Sequence, residues 1–196
     1  NLIMQGVCMA LILAACFFLR PLMWLAGILA FAYIFSEAKW EQKIAFFMFL
    51  LFFTPIFRVQ GSGTTLFMFL KFGLVACYLF KNRERFNSIF FISVISFFAY
   101  SMIFAELLET NYLTKLINIV LWTLVGYVIA KTVTINTTAP VAKCFSNGAI
   151  ITGVIGLFVE KIPQLERMVM PLNMIGEDGA YVFRAAGFWH DPNYFT

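Results

Sequence analysis

The residues best able to do chemistry crowd into one stretch, Arg184–Thr196, which reads RAAGFWHDPNYFT. Arg184 stays charged at any physiological pH and presents a rigid fork of donors that matches phosphate oxygens, so it can hold a phosphate; its plainer use is contact with lipid headgroups. Asp191 followed by Pro192 has the form of a helix start, because Asp accepts from the first free N–H groups and Pro fits the first helical position. A helix opening near Pro192 would aim its positive dipole end close to Arg184, and the two together would make an anion site. Asp191 counts against this, since as a cap it occupies some of those donors and repels an anion. His190, the chain's one histidine, is the side chain whose unperturbed pKa lies near neutrality, so it is the candidate for proton transfer. A structural role in the loop is the alternative, and for Asp191 helix capping stands beside acid or base work.

Lys71 is the second anomaly, set in the apolar run Leu66-Phe67-Met68-Phe69-Leu70-Lys71-Phe72. Counted from Thr64 at 1.5 Å per residue it lies about 10 Å inside the run, where an ionised side chain facing lipid is costly. Two readings stand: the side chain turns into the bundle or a water-filled cavity, or it snorkels to the surface. Arg58, at the end of the preceding apolar run, either points into the same vestibule or anchors its helix at the interface. Glu177 and Asp178 lie between Gly176 and Gly179 and read as a solvated turn. No partner His or carboxylate cluster makes them a metal site, and no metal or other cofactor is expected.

The elements that must position these residues are apolar helices. Of 196 residues, 62% are hydrophobic, 12% are charged and 25 are Phe, against roughly 25% charged in a soluble domain. The net charge of +4 is not a nucleic-acid signal, since most of the cations are spread between apolar runs. Long apolar stretches occur at Leu2–Leu19, Leu22–Ser36, Ile44–Phe57, Thr64–Phe80, Phe86–Ala105, Leu113–Ala130 and Ser146–Val159. The expected fold is therefore all-α: a polytopic transmembrane helical bundle of about seven spans plus the start of an eighth, forming a single membrane domain over residues 1–196. The second and third runs are short, so either flanking polar residues extend those helices or one is re-entrant.

Lys81-Asn82-Arg83-Glu84-Arg85 is the densest short cation cluster, which places it in the cytoplasm. By alternation Glu37–Lys43 and Lys131–Lys143 share that side, as does the N-terminus. Arg20-Pro21, Arg58–Gly63, Glu106–Glu109 and the loop over residues 160–191 fall outside. That last loop is broken by Pro163, Pro171 and Gly176, and its run Met168–Leu172 reads as a short amphipathic piece along the interface. Trp24, Trp40 and Trp189 stand near span ends, as interfacial rings do, and Gly148, Gly153 and Gly156 would let another helix approach closely. Cys8, Cys16, Cys77 and Cys144 have no ligand spacing and read as small buried hydrophobes. The chain begins with Asn and stops as a helix opens, so it reads as an internal portion of a longer protein. No charged segment or small-residue cleavage site brackets the first run, so a cleavable signal is not expected.

At Arg184, Gly187 and Asp191-Pro192-Asn193-Tyr194-Phe195 the sequence resembles the O-antigen ligase and polymerase family of bacterial polysaccharide enzymes, in the version common among capsule and exopolysaccharide polymerases. The motif also lies in that family on the extracytoplasmic side, after about half of the membrane helices. The resemblance implies a multi-pass glycosyltransferase of the bacterial cytoplasmic membrane, independent of metals. Its donor would be a polyprenyl-pyrophosphate-linked glycan and its acceptor another glycan or a lipid. Arg184 would hold the pyrophosphate, with His190 and Asp191 beside it as candidate catalytic groups and Gly187, Pro192 and Asn193 shaping the binding site. Arg58 and Lys71 join that site by location, not by motif. The family's functional histidine lies in a large later loop, so His190 is not its match. A pyrophosphate leaving group needs fixed cations more than a nucleophile, and no GxGxxG or GxxxxGK[ST] pattern suggests a soluble nucleotide. The alternative is a transporter or flippase of a lipid-linked or anionic substrate, with Lys71 and Arg58 on its path.

Overall fold

Local sequence sets the helix boundaries of this chain. The computed structural model describes residues 2–17, 22–53, 66–82, 87–104 and 110–158. Among them all regular structure is helical: α1 (Leu2–Phe17), α2 (Leu22–Phe35), α3 (Trp40–Leu50), α4 (Leu66–Lys81), α5 (Ser88–Phe104), α6 (Thr110–Thr132) and α7 (Ile135–Phe158), with a single 3₁₀ turn over 51–53. Asn87 caps α5, its Oδ1 accepting from the Phe90 N–H at 3.2 Å. Thr134 and Thr137 cap α7 together: the Thr134 N–H donates to Thr137 Oγ1 at 2.9 Å, and the Thr137 hydroxyl donates back to the Thr134 carbonyl at 3.2 Å.

Two polar connections expected from the sequence are in fact helical. α3 starts at Trp40, so Lys43 belongs to the helix and not to a Glu37–Lys43 loop. α7 starts at Ile135, so most of the Lys131–Lys143 stretch is its first turns. The threonine caps explain the early start, and Pro140, near the amino end, removes only one backbone bond. The flanking residues thus extend α3 at its amino end, as one of the two readings of that short run required.

The helices follow the seven apolar runs, but their lengths correct the expectation of full spans. At 1.5 Å per residue the 16-residue α1 and α4 are about 24 Å long and the 17-residue α5 about 25 Å, short of a roughly 30 Å hydrocarbon layer. The 23-residue α6 and 24-residue α7 are longer, but their Asn, Thr and Lys residues dilute the apolar content. Among the described residues no helix is both long and apolar enough to cross a membrane.

α3 is the central element. It packs along α7 and against α6, Phe46 meets Tyr33 of α2, and Phe47 stacks on Phe67 of α4 at 4.9 Å between ring centroids. Seven of its residues, Lys43–Phe47, Phe49 and Leu50, are buried. α2 packs on α1 and α4, α4 on α6, and α5 on α6. The closest approach is at Gly148 of α7, where a Cβ would stand 2.7 Å from the Phe49 carbonyl oxygen. This is the small-residue packing expected of that glycine. Cys8 and Cys77 are buried, as expected, while Cys144 is half-exposed and accepts a hydrogen bond from Gln5 across α1 and α7.

The carboxyl ends of α2, α4 and α6 and the amino end of α5 gather at one end of the bundle. Lys81 Nζ lies 2.9 Å from Glu37 Oε1. The Tyr127 hydroxyl accepts from the Asn87 N–H at 3.4 Å, and the Tyr127 and Tyr78 rings stand 6.3 Å apart.

Candidate functional site

Arg58, Arg184, Gly187, His190, Asp191, Pro192 and Asn193 all lie outside the described residues, as does the loop over residues 160–191. Of the candidate site residues Lys71 is described, and it proves to be the more informative of two buried cations.

α4 buries Phe67, Leu70, Lys71, Leu74, Val75 and Tyr78, the three- and four-residue spacing of a single helical face. Lys71 stands in the middle of that stripe, 3% exposed. Its ammonium donates to the side-chain oxygen of Asn118 on α6. It also lies 4.7 Å from the centre of the Trp122 ring and 5.9 Å from that of Phe67, within range of a cation–π attraction. Asn118 and Trp122 are one helical turn apart on α6, so both reach the same point on α4. Snorkelling is therefore overturned: the side chain turns into the α4–α6 seam because an amide oxygen and an indole face replace part of its hydration there. The seam itself is shallow, since Asn118 is exposed and Trp122 is 36% exposed.

Lys43 is the cation that sequence reasoning missed. It is fully buried, and its Nζ donates to the Ser36 carbonyl at 2.6 Å while lying 3.9 Å from Cys77 Sγ and 4.7 Å from the Trp40 ring centre. Lys81 reaches the same Ser36 carbonyl at 3.3 Å, and the Cys77 thiol donates to the Ile34 carbonyl at 3.4 Å. Three side chains of α3 and α4 thus satisfy the Ile34 carbonyl of α2 and the Ser36 carbonyl just past its end, where the negative end of that helix's dipole lies. The signal was present in the sequence: Lys43 begins the dense apolar run Ile44–Phe53 with α-helical spacing from Trp40. It was hidden because a lysine beside Glu41 and Gln42 reads as a polar loop.

The two lysines differ chemically. Lys43 has the Ser36 carbonyl, the negative end of a helix dipole, the Cys77 sulfur and the Trp40 ring around it, which accounts for it structurally. Lys71 has one neutral amide and two aromatic rings, and among the described residues no carboxylate lies within ion-pairing distance of it. At the end of the bundle beyond both, Lys81 holds the Glu37 carboxyl below its ordinary range, first through their hydrogen bond and then through charge, and Glu37 raises Lys81 in return.

Among the described residues no group of His, Cys, Asp or Glu side chains could hold a metal ion. The described site is an ammonium with one amide partner and two aromatic rings in an apolar seam, and it retains hydrogen-bond donors beyond the bond to Asn118. Comparisons with protein-family models, with curated proteins and with solved structures find no match.

Proposed function

We propose that this chain is a membrane glycosyltransferase of the O-antigen ligase and polymerase kind, acting on a polyprenyl-pyrophosphate-linked glycan at the extracytoplasmic face of a bacterial cytoplasmic membrane. The observation that carries the membrane part is an apolar outer surface set beside buried charge. Lys43 and Lys71 are inside, whereas Ile89, Ile92, Ile95, Phe97 and Tyr100 of α5 are 51–75% exposed. A helix that is apolar all round must meet either a protein core or lipid, and among the described residues the main packing of α5 is on α6. Helices a few ångströms shorter than the hydrocarbon layer are accommodated by local thinning, at a fraction of a kcal/mol per ångström.

The glycosyl-transfer part rests on the Arg184–Phe195 motif. As the bond from sugar to diphosphate breaks, negative charge grows on the leaving oxygen, and fixed cations lower that barrier in a site from which water is excluded. Arg184 is the residue assigned to that charge by the motif. Placing the end of the bundle that carries Lys81 and Glu37 in the cytoplasm puts Lys71, ten residues back along α4 and so about 15 Å away, toward the outer half.

The test is reconstitution of the chain, within its full-length protein, into vesicles containing a lipid-linked oligosaccharide. Arg184→Ala should abolish formation of new glycosidic bonds while insertion stays normal, with Arg184→Lys restoring little because the bidentate fork is lost. Full activity of Arg184→Ala contradicts the proposal. Movement of the lipid across the vesicle without any new bond identifies a transporter instead.

A further inference from the structure

We propose that the α4–α6 seam at Lys71 is a lateral binding site for the phosphate of an amphiphilic lipid, in which Lys71 and Asn118 hold a phosphate oxygen and Trp122 covers the ammonium. The inference rests on the membrane placement above and not on glycosyl transfer.

A buried ammonium is expensive, and proteins retain one where a charge partner or a function repays the cost. At Lys71 the protein supplies a neutral amide oxygen and the faces of Trp122 and Phe67, which together are weaker than a carboxylate. An ammonium has three donors, so after the bond to Asn118 it retains donors for an anion. The Asn118 amide has two N–H donors of its own, so a phosphate oxygen meeting both groups would accept from Lys71 and from Asn118 at once. The resulting charge-assisted bonds are the strong kind.

Access comes from the side. Asn118 and Trp122 are exposed on the outer surface of α6, and Phe69 and Phe72 on α4 and Ile119 on α6 are each more than half exposed close to Lys71 and Asn118 in sequence. A hydrocarbon chain lying along those side chains would keep its phosphate at the seam. A free phosphate gains nothing from them, so the arrangement favours a lipid phosphate over a soluble one.

The purified protein in detergent micelles provides the test, by native mass spectrometry with four probes: a polyprenyl monophosphate, a polyprenyl diphosphate, the neutral polyprenol and inorganic pyrophosphate. Both lipid phosphates should bind, and Lys71→Gln should weaken them about tenfold or more, the loss of one hydrogen bond to a charged group. Polyprenol binding should stay as it was, and the exposed Lys131→Gln should behave as wild type. On unmutated protein, either lipid phosphate should protect Lys71 from a membrane-permeant amine reagent, a readout that does not depend on a variant folding. Wild-type affinity in Lys71→Gln, or no protection, overturns the site. Pyrophosphate binding as tightly as the lipids overturns the lateral route. Lipid phosphate binding that survives while Arg184→Ala retains glycan synthesis would leave this site standing and remove the enzyme reading alone.

Discussion

Three glycines distinguish a tightly packed α3–α7 interface from open surface, and alanine substitutions at them should separate in a defined order. At Gly148 an added Cβ would sit 2.7 Å from the Phe49 carbonyl oxygen and 2.9 Å from a Phe52 ring carbon. A backbone atom cannot rotate away, so α3 and α7 must part, and overpacking of this kind costs about 1–3 kcal/mol. Ala gains about 1 kcal/mol over Gly in a helix interior, leaving a net loss of roughly 0–2 kcal/mol. At Gly126 nothing lies within 4 Å, so Gly126→Ala keeps the whole gain of about 1 kcal/mol. Gly73 falls between them: its nearest neighbour is the Phe31 ring at 2.6 Å, but that ring is on the surface and can swing outward. Gly148→Ala and Gly126→Ala should thus differ by about 1–3 kcal/mol, or roughly 2–12 °C in unfolding midpoint for a chain of this size. Thermal unfolding in one detergent, followed by helical circular dichroism, measures the order. Gly148→Ala unfolding at or above the temperature of Gly126→Ala would refute the packing of α3 on α7.

Other perturbations address the buried cations and the ion pair. Lys43→Ala empties a fully buried site and removes the 2.6 Å bond to Ser36, so it should cost about 2–4 kcal/mol. Lys43→Met keeps the stem and sheds a buried charge, so it should cost less; denaturant midpoints of the two variants check the ranking. Glu37 is lowered from 4.5 by Lys81, so its contribution is present above that value and is lost as pH falls through the folded pKa. Lys81 is raised from 10.5, so its contribution is present below 10.5 and is lost as pH rises through the folded pKa. The stability difference between wild type and Glu37→Gln should accordingly be largest between these limits and vanish in acid. Because Glu37 is exposed, salt should shrink that difference.

Sequence periodicity revealed the helices because their apolar runs are long and separated by polar or proline-bearing joints, and α1, α2, α4 and α5 begin and end within a few residues of the expected runs. It failed at α7, where Thr134-Ile135-Asn136-Thr137-Thr138 reads as loop until the Thr137 hydroxyl is seen closing on both the N–H and the carbonyl of Thr134. It failed also at Lys43, whose burial depends on carbonyls of α2 and a thiol of α4 that no local pattern reveals. Lys71 was legible as an anomaly because a lone charge interrupts an apolar run. Its partners were not, since Asn118 and Trp122 lie 47 or more residues away and look like ordinary members of α6. Hydropathy alone does not establish crossings: apolar content and helix length are separate requirements, and among the described residues no helix meets both.

A membrane placement requires the outward apolar surface of this bundle to face lipid, and α5 is the place to measure it. Spin labels introduced one at a time at Ile89, Ile92, Ile95 and Tyr100 in bilayer-reconstituted protein report collision with oxygen, which concentrates in hydrocarbon, and with a polar nickel chelate, which stays in water. Lipid contact gives high oxygen and low nickel accessibility at Ile92 and Ile95, with the nickel signal rising toward Ile89 near the helix end. High nickel accessibility at all four positions would contradict it.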